Sequence, residues 1–345
     1  MSEQICAVVL AGGEGKRMKS NRPKALAPVL FKPMLQWVLD AAGGAGAGDV
    51  CVVTGHMHEQ LEAYLQTAQK PGGPRLHHVL QAQQRGTGHA VMMAEAFLRE
   101  HSGGHTVVLS GDAPFISADI LKAAGQAHVR DGNAVTVITA QLDDPTGYGR
   151  IVRDPATGLV RAIVEQRDAD EATLAVREIN SAAYWFRTDD LLAILGSIRS
   201  DNSQGEYYLT DAVRLLIEQH KNAGAYIASD PAAVMGANDC VQLNALNEIA
   251  RARILRAHML NGVEIPCTDG VMIGPDVKIG RSTRILPNTI LRGATEVGEN
   301  CTVGPGVLLT DCALADGVAL CFSCCEHSTI SSNQAIAPFT VFEGS

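Results

Sequence analysis

A six-residue periodicity in the last quarter of the chain restricts the fold more than any other feature of the sequence. Aliphatic side chains recur at every sixth position, and a small or β-branched residue stands two positions before each of them. The aliphatic series consists of Ile273, Ile279, Ile285, Leu291, Val297, Val303 and Leu309. A period of six fits neither an α-helix nor a flat strand, but it is typical of a parallel β-helix, in which each repeat forms one short side of a coil. We therefore predict stacked coils that bury the aliphatic column.

The phase of this repeat changes near its end. It is lost after Ala315 and returns at Ile330, Ile336 and Phe342. We therefore expect Phe322–His327 to bulge from the coil.

Composition and charge limit the partners of the chain. Its 345 residues carry a formal charge of −9. A negative net charge does not attract the chain to nucleic acid or to an anionic membrane. No apolar run reaches the roughly 18 residues of a membrane span, and the first residues lack the basic start of a secretory signal. We expect a soluble, cytoplasmic protein without nucleic-acid or membrane partners.

The nine cysteines are odd in number and scattered, which favours reduced thiols. Cys321, Cys324 and Cys325 form a C-x-x-C-C cluster. No second ligand pair at zinc spacing accompanies it, so packing is favoured over a metal site.

Before the repeats, apolar runs alternate with helical patterns. Strands are predicted at 5–10, 50–53, 106–109 and 134–138, and helices between them at about 57–68, 88–100 and 117–130. This alternation is typical of parallel strands with helices on both faces. We predict an open α/β sheet over roughly residues 1–235.

An amphipathic pattern between the sheet and the repeats predicts a connecting helix at 239–262, which ends at Gly262. The expected domains are therefore 1–238, the connecting helix, and 263–345.

A glycine turn, residues 11–15, follows the first strand, and backbone N–H groups in such a turn can approach phosphate oxygens. The turn matches neither well-known phosphate loop, because Arg17 stands where the Walker motif needs Ser or Thr and Met18 where the dinucleotide motif needs glycine. Six cations and no acidic residue occupy positions 16–32, namely Lys16, Arg17, Lys19, Arg22, Lys24 and Lys32. This cluster favours a phosphorylated ligand at the carboxyl end of the sheet, with a solvated basic face as the alternative.

Two further polar segments follow buried strands or precede helices. Asp112 follows the strand at 106–109 and can offer oxygens to Mg²⁺, although a helix-capping aspartate is the structural alternative. Gln81 and the segment Gly86–His89 precede an amphipathic helix and suit the reading of a nucleobase edge. His89 taken alone is interpreted as a helix-start residue rather than as a catalyst.

Taken together, these segments resemble the sugar-nucleotide pyrophosphorylases, and most closely the uridylyltransferase half of the bifunctional N-acetylglucosamine-1-phosphate uridylyltransferases. The resemblance runs from Ile5 through the repeats. Its motifs stand in the family's order and are LAGGEGKRMKSNRPKAL, QAQQRGTGHAV, SGDAPF, DDPTGYGRIVRD, IVEQRDA, EIN, GEYYLTD and GAND. The resemblance implies a Rossmann-like, mostly parallel nucleotidyltransferase domain followed by a short left-handed parallel β-helix.

The resemblance also implies roles for individual residues. Arg17 and Lys24 would be catalytic and contact the phosphates, while Asp112 and Asn238 would bind Mg²⁺. Substrate-binding roles are implied for Leu10, Ala11, Gly12, Gly13, Gln81, Gly86, Thr87, Ser110, Gly111, Gly149, Glu165 and Asn180. The last three of these would line the sugar pocket.

The implied reaction joins UTP and N-acetylglucosamine 1-phosphate into UDP-N-acetylglucosamine and pyrophosphate, with Mg²⁺ as cofactor, in a homotrimer formed through the β-helix. A sugar 1-phosphate is already an anionic nucleophile, so this chemistry needs charge stabilisation rather than a general base. Glucose 1-phosphate as the sugar or dTTP as the nucleotide is the close alternative.

The sequence departs from the family pattern in several places. Lys16 stands where threonine is usual, and Ala182 stands where glycine is usual, close to the expected N-acetyl pocket. Val341 and Glu343 replace arginines of a related family stretch, and the related chains continue further. We therefore expect no acetyltransferase activity. Acyl transfer at the β-helix, or a regulatory binding protein that has lost catalysis, remains as an alternative of another class.

Overall fold

The structure of the protein is a computed structural model that describes residues 4–343. The chain divides into two compact units. The first contains the residues up to 27 and residues 33–240, and the second contains residues 28–32 and those from 241 onward. The domain boundaries that the sequence predicts, at 238 and 262, stay a prediction.

The first unit is built on one large sheet. The strands up to residue 227 are β1 (Ile5–Leu10), β2 (Pro28–Val29), β3 (Lys32–Pro33), β4 (Asp49–Thr54), β5 (Arg75–Leu80), β6 (His105–Ser110), β7 (Val135–Gln141), β8 (Arg150–Arg153), β9 (Val160–Val164), β10 (Glu178–Arg187) and β11 (Ala223–Ile227). The sheet order is β11-β7-β10-β6-β1-β4-β5, and β8 and β9 extend from β10. Only β10 runs antiparallel to its neighbours β6 and β7 along that order. The mostly parallel sheet that was predicted is confirmed.

The central strand β1 is buried because it contributes apolar side chains to both faces of the sheet. Cys6 and Val8 belong to one hydrophobic cluster, and Ala7 and Val9 belong to another. Successive side chains of a strand point to opposite faces, so a strand covered on both sides is continuously apolar.

Helices cover the two faces of the sheet. They are α1 (Met34–Gly44), α2 (His58–Ala68), α3 (Thr87–Met93), α4 (Glu95–Glu100), α5 (Ala118–Arg130), α6 (Glu171–Leu174), α7 (Thr188–Leu195) and α8 (Asp211–Glu218), and α9 (Cys240–Leu260) follows this part of the chain. The single helix predicted at 88–100 is wrong, because the chain breaks at Ala94, whose φ of −88° and ψ of 9° are not helical. Three short 3₁₀ helices span Lys16–Met18, Lys24–Leu26 and Pro231–Val234.

The register of the parallel strands brings their carboxyl ends to one edge of the sheet. Leu10 of β1 pairs with Ser110 of β6 and with Val53 of β4. Thr54 at the end of β4 pairs with Leu80 of β5. The loops that follow these strands therefore begin side by side, which is where open α/β sheets bind their ligands.

The antiparallel strand β10 contains an irregularity near its start. Its pairing with β7 shifts between Asn180 and Ala183. Within the bulge, Ala182 has a φ of 58°, in the left-handed region. A bulge of this kind bends the strand and redirects its side chains.

Short parallel strands form the second unit. They are β12 (Met272–Ile273), β13 (Lys278–Ile279), β14 (Arg284–Ile285), β15 (Ile290–Arg292), β16 (Glu296–Val297), β17 (Thr302–Val303), β18 (Leu308–Thr310), β19 (Ala313–Leu314), β20 (Ala319–Leu320), β21 (Cys324–Glu326), β22 (Thr329–Ile330) and β23 (Val341–Glu343). Each of the three sheets takes every third strand, as in β12-β15-β18-β21. The stacked parallel coils that the six-residue repeat predicts are confirmed, and the structure gives each coil three sides.

The coil continues through the segment where the repeat changes phase. Leu314, Leu320, Cys325 and Ile330 are buried in the core of the coil, at spacings of six or five residues. β21 pairs with β18 in the regular parallel register. The prediction of a bulge at Phe322–His327 is therefore wrong. The repeat changes phase because some sides of the coil contain five residues instead of six.

Two statements apply to the described range 4–343 as a whole. No helix there is both long and apolar enough to cross a lipid bilayer. No cluster of three or more His, Cys, Asp or Glu side chains there has the geometry to hold a metal ion by itself.

Candidate active site

A cavity of about 280 Å³ lies at the carboxyl edge of the large sheet. The predicted site residues that line it are Leu10, Ala11, Gly12, Gly13, Lys24, Gln81, Gly86, Thr87, Ser110 and Asp112. Gln84, Ala182 and Glu206 also line it, and the sequence analysis assigned no ligand to any of the three. The convergence follows from the strand register, because β1, β4, β5 and β6 all end at this edge.

At Gly12 the glycine turn lies against the neighbouring loop with little room for a side chain. A Cβ added to Gly12 would come within 3.1 Å of the Thr54 carbonyl oxygen and 3.2 Å of Gln81 Oε1. A Cβ added to Gly55 would lie 2.5 Å from the Gly12 carbonyl oxygen. The turn therefore presents bare backbone to the cavity, as a phosphate-binding loop must.

Gln81 follows β5 and is held in one orientation. Its side chain is nearly buried, and its Nε2 atom lies 3.1 Å from the Gly86 carbonyl oxygen and 3.0 Å from His89 Nδ1. Its Oε1 atom faces Gly12. The predicted position of Gln81 beside the glycine turn and the segment that starts at Gly86 is thus observed.

Asp112, Lys24 and Asn238 meet at one point. The Lys24 ammonium forms an ion pair with Asp112 Oδ2, and the side chains of both residues are 17% exposed. The same ammonium donates a hydrogen bond of 3.1 Å to Asn238 Oδ1. Two oxygen atoms from distant parts of the sequence therefore converge on a single positive charge.

The surroundings of Asp112 keep it ionised. Burial alone would raise the pKa of its carboxyl group, but the Lys24 charge and hydrogen bonds from Lys24 and Ser110 outweigh burial and leave the pKa below its ordinary value. The Ser110 hydroxyl donates to Asp112 Oδ1 at 2.5 Å. Asp112 is therefore an anion at neutral pH, as a metal ligand or cation partner must be.

The predicted cation cluster is only partly assembled. Lys16 pairs with Glu14 at 3.0 Å, and Lys32 belongs to the second unit, where it pairs with Asp276 at 2.7 Å. Lys32 therefore lies apart from the other five cations of the cluster. The exposed side chains of Arg17, Lys19 and Arg22 form no ion pair with any residue in the range 4–343, which leaves three cations near the glycine turn for an anionic ligand.

A second group of predicted residues lies around the hairpin β8–β9 and the start of β10. The backbone N–H of Asn180 donates to the Gly149 carbonyl at 2.9 Å. A Cβ on Gly149 would lie 3.5 Å from both Glu165 carboxylate oxygens. Gly149, Glu165 and Asn180 are therefore neighbours, as the resemblance implies.

Glu165 is half-buried in this group. Burial raises the pKa of its carboxyl group, while a hydrogen bond from the Thr210 hydroxyl at 3.3 Å opposes the rise. Asn180 donates to the Tyr184 hydroxyl at 2.7 Å and accepts a bond of 3.0 Å from the Ala182 backbone. These partners fix the polar side chains before any ligand binds.

Ala182 connects this group to the cavity. It lines the cavity, and its backbone N–H bonds to Asn180. A left-handed φ costs a non-glycine residue roughly 1 kcal/mol. The strained residue at this position is the one that the sequence analysis identified as a departure from the family pattern.

Sequence reasoning missed the contacts made by the segment around Tyr207. The Tyr207 carbonyl accepts a 2.7 Å bond from the Gly88 backbone, and a Cβ on Gly86 would lie 2.5 Å from the same oxygen. The motif GEYYLTD was recognised, but nothing in its spacing indicates that it supports the segment Gly86–His89. Arg17 and Gly111 do not line the cavity, although Gly111 bonds to the Leu10 carbonyl at 2.9 Å.

Comparison with known proteins agrees with this geometry. A family model described as nucleotidyl transferase matches residues 6–249, and one described as bacterial transferase hexapeptide (six repeats) matches residues 276–311. The chain belongs to the nucleotidyl transferase family and is an enzyme of that class.

Three relatives that match almost the whole chain carry the same name. The chain is 42% identical over 337 residues to the bifunctional protein GlmU of Caldanaerobacter subterraneus subsp. tengcongensis. The matched residues are 98% of this chain and 71% of the relative. The GlmU protein of Brevibacillus brevis is 42% identical over 97% of this chain and 71% of its own length. That of Streptomyces avermitilis is 41% identical over 96% of this chain and 68% of its own length. The resemblance drawn from the sequence motifs is confirmed.

Proposed function

We propose that the protein transfers the uridylyl group of UTP to N-acetylglucosamine 1-phosphate and releases pyrophosphate. The observation that carries the proposal is the cavity at the sheet edge, where a bare glycine turn, a lysine, a carboxylate and a buried glutamine meet. The glycine turn and the lysine suit a triphosphate, the carboxylate suits the cation that accompanies a triphosphate, and the glutamine suits a nucleobase edge.

The reaction needs no general base from the protein. A phosphate oxygen of the sugar 1-phosphate attacks the α-phosphorus of UTP, and the bond between that phosphorus and the oxygen that leads to the β-phosphate breaks. UDP-N-acetylglucosamine and pyrophosphate result. The protein has to bring two anions together and to stabilise the charge that develops on the leaving group.

Cations of the chain would supply that stabilisation. Arg17 and Lys24 are proposed to contact the phosphates, Arg17 from the exposed 3₁₀ helix after the glycine turn and Lys24 from the cavity wall. The backbone N–H groups of Leu10–Gly13 are proposed to approach the nucleotide, because the turn carries no bulky side chain at Gly12 or Gly13.

Asp112 and Asn238 are proposed to hold Mg²⁺. The donor set fits a cation, since Asp112 Oδ2 and Asn238 Oδ1 already bind one ammonium group. Carboxylate and amide oxygens suit a hard divalent ion whose other ligands are phosphates and water. When bound, Mg²⁺ would neutralise charge on the triphosphate and on the leaving pyrophosphate.

Gly149, Glu165 and Asn180 are proposed to bind the sugar. A buried carboxylate can accept hydrogen bonds from two adjacent hydroxyl groups, and a site of this kind rejects analogues that lack those hydroxyls. The Thr210 hydroxyl, 3.3 Å from Glu165 Oε1, supports a fixed position for the carboxylate.

The repeats support two further proposals about the second unit. We propose that its coils mediate a homotrimer, because hexapeptide coils leave sheet faces that neighbours can cover. We also propose that the chain has no acetyltransferase activity, since Val341 and Glu343 stand where related stretches carry arginines. The match to a hexapeptide transferase model favours the opposite outcome, acyl transfer, as the second candidate. Thiol release from acetyl-CoA in the presence of glucosamine 1-phosphate distinguishes the two, and light scattering measures the oligomer.

The test of the main proposal is a substrate panel. Pyrophosphate release is measured for UTP, dTTP, CTP and ATP, each with N-acetylglucosamine 1-phosphate, glucosamine 1-phosphate and glucose 1-phosphate, with and without Mg²⁺. Asp112→Asn is compared with Asp131→Asn, because Asp131 is another ion-paired aspartate of the first unit.

The expected result is Mg²⁺-dependent release from UTP with N-acetylglucosamine 1-phosphate. Asp112→Asn should abolish this release, and Asp131→Asn should leave it unchanged. Pyrophosphate release only from another pair of nucleotide and sugar phosphate would overturn the substrate assignment. Full activity of Asp112→Asn at limiting Mg²⁺ would overturn the role of Asp112.

A further inference from the structure

We propose that His89 fixes the amide orientation of Gln81 and thereby selects a nucleobase whose edge donates a hydrogen bond, as uracil does and cytosine at the same ring nitrogen does not. This inference rests on the proposed function, because it takes Gln81 as the residue that faces the base. It assigns His89 a positioning role rather than a catalytic one.

Both amide protons of the Gln81 side chain have an acceptor within the protein. The side chain is 4% exposed, so its polar atoms depend on protein partners. Nε2 lies 3.1 Å from the Gly86 carbonyl oxygen, which can only accept. This contact identifies the atom near Gly86 as the amide nitrogen, since an oxygen at that distance from a carbonyl oxygen would be repelled.

His89 provides the second acceptor for the Gln81 amide. The same Nε2 atom lies 3.0 Å from His89 Nδ1. Because the amide nitrogen is a donor, Nδ1 must be the unprotonated nitrogen of a neutral imidazole. Both protons of the Gln81 amide are then used, one by Gly86 and one by His89.

The remaining hydrogen-bonding atom of the Gln81 side chain is Oε1, which can only accept. It faces the glycine turn, where a Cβ on Gly12 would lie 3.2 Å away, and Gln81 lines the cavity. A ligand edge that meets Oε1 must therefore offer a donor. Uracil and thymine carry an N–H at ring position 3, whereas cytosine has a lone pair there.

The surroundings of His89 maintain its neutral form. Burial lowers the pKa of the imidazole below its ordinary value of 6.5, and the Arg85 charge lowers it further, while a hydrogen bond to the Gln83 backbone acts in the opposite direction. Among the described residues, the ionisable groups that face the ring are Arg85 and Tyr207. The Tyr207 ring lies 6.2 Å from His89 between centroids, and the Arg85 guanidinium stacks 4.9 Å from the Tyr207 ring. At neutral pH the imidazole therefore accepts from Gln81.

The test is the preference of the enzyme for UTP over CTP. His89→Phe keeps a planar ring beside Tyr207 but removes the acceptor, and His89→Asn restores an acceptor oxygen. His78→Phe is the matched control, because His78 lies on the exposed side of β5. The kcat/KM values for UTP and CTP, the KM for the sugar phosphate and the melting temperature are measured for each variant.

His89→Phe is expected to lower kcat/KM for UTP about tenfold, which corresponds to the roughly 1.4 kcal/mol of one hydrogen bond. The ratio of UTP to CTP should fall at least as much, because a freed amide can turn its nitrogen toward the base. The KM for the sugar phosphate and the melting temperature should change little. His89→Asn should recover most of the preference, and His78→Phe should keep all of it.

The wild-type enzyme provides a second measurement that does not depend on folding of a variant. Protonation of His89 places a donor opposite the Gln81 amide nitrogen, so the UTP preference should persist at neutral pH and decline as the pH falls well below 6.5. A preference that His89→Phe and low pH both leave unchanged would overturn the role of His89. A wild-type enzyme that uses CTP as well as UTP would also overturn the base selection, whereas a wild-type enzyme that uses neither nucleotide would overturn the proposed function.

Discussion

The ammonium of Lys24 and the carboxylate of Asp112 form an ion pair inside the cavity at the sheet edge, and Asn238 shares the ammonium. The pair places a positive charge where the proposed metal ligands meet. A bound cation and the Lys24 ammonium would therefore compete for the same two oxygen atoms.

Lys24→Met is expected to lower stability and to tighten cation binding by the protein without nucleotide. Loss of the ammonium leaves Asp112 unpaired at a site that is 17% exposed, which costs about 1–3 kcal/mol. The variant should then gain more melting temperature from added Mg²⁺ or Mn²⁺ than the wild type gains. Lys278→Met is the control, since Lys278 forms an exposed pair with Glu296. An equal cation response in Lys24→Met and wild type would contradict the competition.

Arg17→Ala is expected to lower kcat more than it raises the KM for UTP. Its exposed guanidinium lies on the 3₁₀ helix Lys16–Met18 and forms no ion pair with residues 4–343, so it is available to charge that develops during transfer. Steady-state kinetics should show a loss in kcat of about 10²-fold or more, the scale of one group that stabilises the transition state. Arg161→Ala, also exposed, should have wild-type kinetics. A pure KM effect would reassign Arg17 to ground-state binding.

Ala182→Gly is expected to stabilise the protein by about 0.5–1 kcal/mol, because glycine adopts the φ of 58° without strain. The change also removes a methyl group from the cavity wall, so the preference between N-acetylated and unmodified sugar phosphates should shift. Ser282→Gly is the control for strain alone, since Ser282 has a φ of 60° in the second unit. Chemical denaturation and the kcat/KM ratio of the two sugar phosphates measure the effects. If the kcat/KM ratio of the two sugar phosphates does not change, Ala182 does not contribute to the sugar site.

The KM for the sugar phosphate is expected to rise as the pH falls toward acid. Burial raises the pKa of Glu165 above its ordinary value of 4.5, so the carboxylate is protonated at a higher pH than an ordinary glutamate. Protonation removes the acceptor that the sugar hydroxyls need, which weakens binding below the raised pKa. Glu165→Gln should have a high KM at every pH and lose this dependence. A wild-type KM that is constant down to pH 4.5 would contradict the role of Glu165.

Cys325→Ser is expected to destabilise the second unit by about 1–3 kcal/mol, because it places a hydroxyl group in the apolar interior of the coil. Cys325 is fully buried, whereas the side chain of the adjacent Cys324 is half-buried. Cys324→Ser should therefore cost much less. Equilibrium unfolding of the whole protein measures both. Equal effects of the two changes would show that this part of the coil is not packed as described.

Much of the fold follows from periodicity. The buried strands β1, β4, β6 and β7 read as continuous apolar runs, and strand ends meet at one edge of a parallel sheet, so Asp112 could be placed near the glycine turn. The position of Gln81 followed from the family resemblance. The six-residue repeat likewise indicated stacked parallel coils in which each repeat forms one side. These predictions depend on periodic patterns, which can be recognised even when single positions deviate from them.

The features that could not be predicted depend on single contacts. A five-residue side and a bulge produce the same loss of phase at Cys325, and only the parallel pairing of β21 distinguishes them. Nothing in the sequence places Lys32 in the second unit or sets Ala182 at a positive φ. The hydrogen bond from Gln81 to His89 spans a loop whose path depends on Tyr207, which lies far along the chain.

The most direct test of the central claim follows the α-phosphorus of UTP. The enzyme is incubated with UTP labelled at that phosphorus, N-acetylglucosamine 1-phosphate and Mg²⁺, and the products are separated. The account predicts that the label appears in UDP-N-acetylglucosamine while unlabelled pyrophosphate is released, and that Asp112→Asn prevents both. Label that stays in UTP, with wild-type enzyme that is folded and supplied with Mg²⁺, would contradict the account.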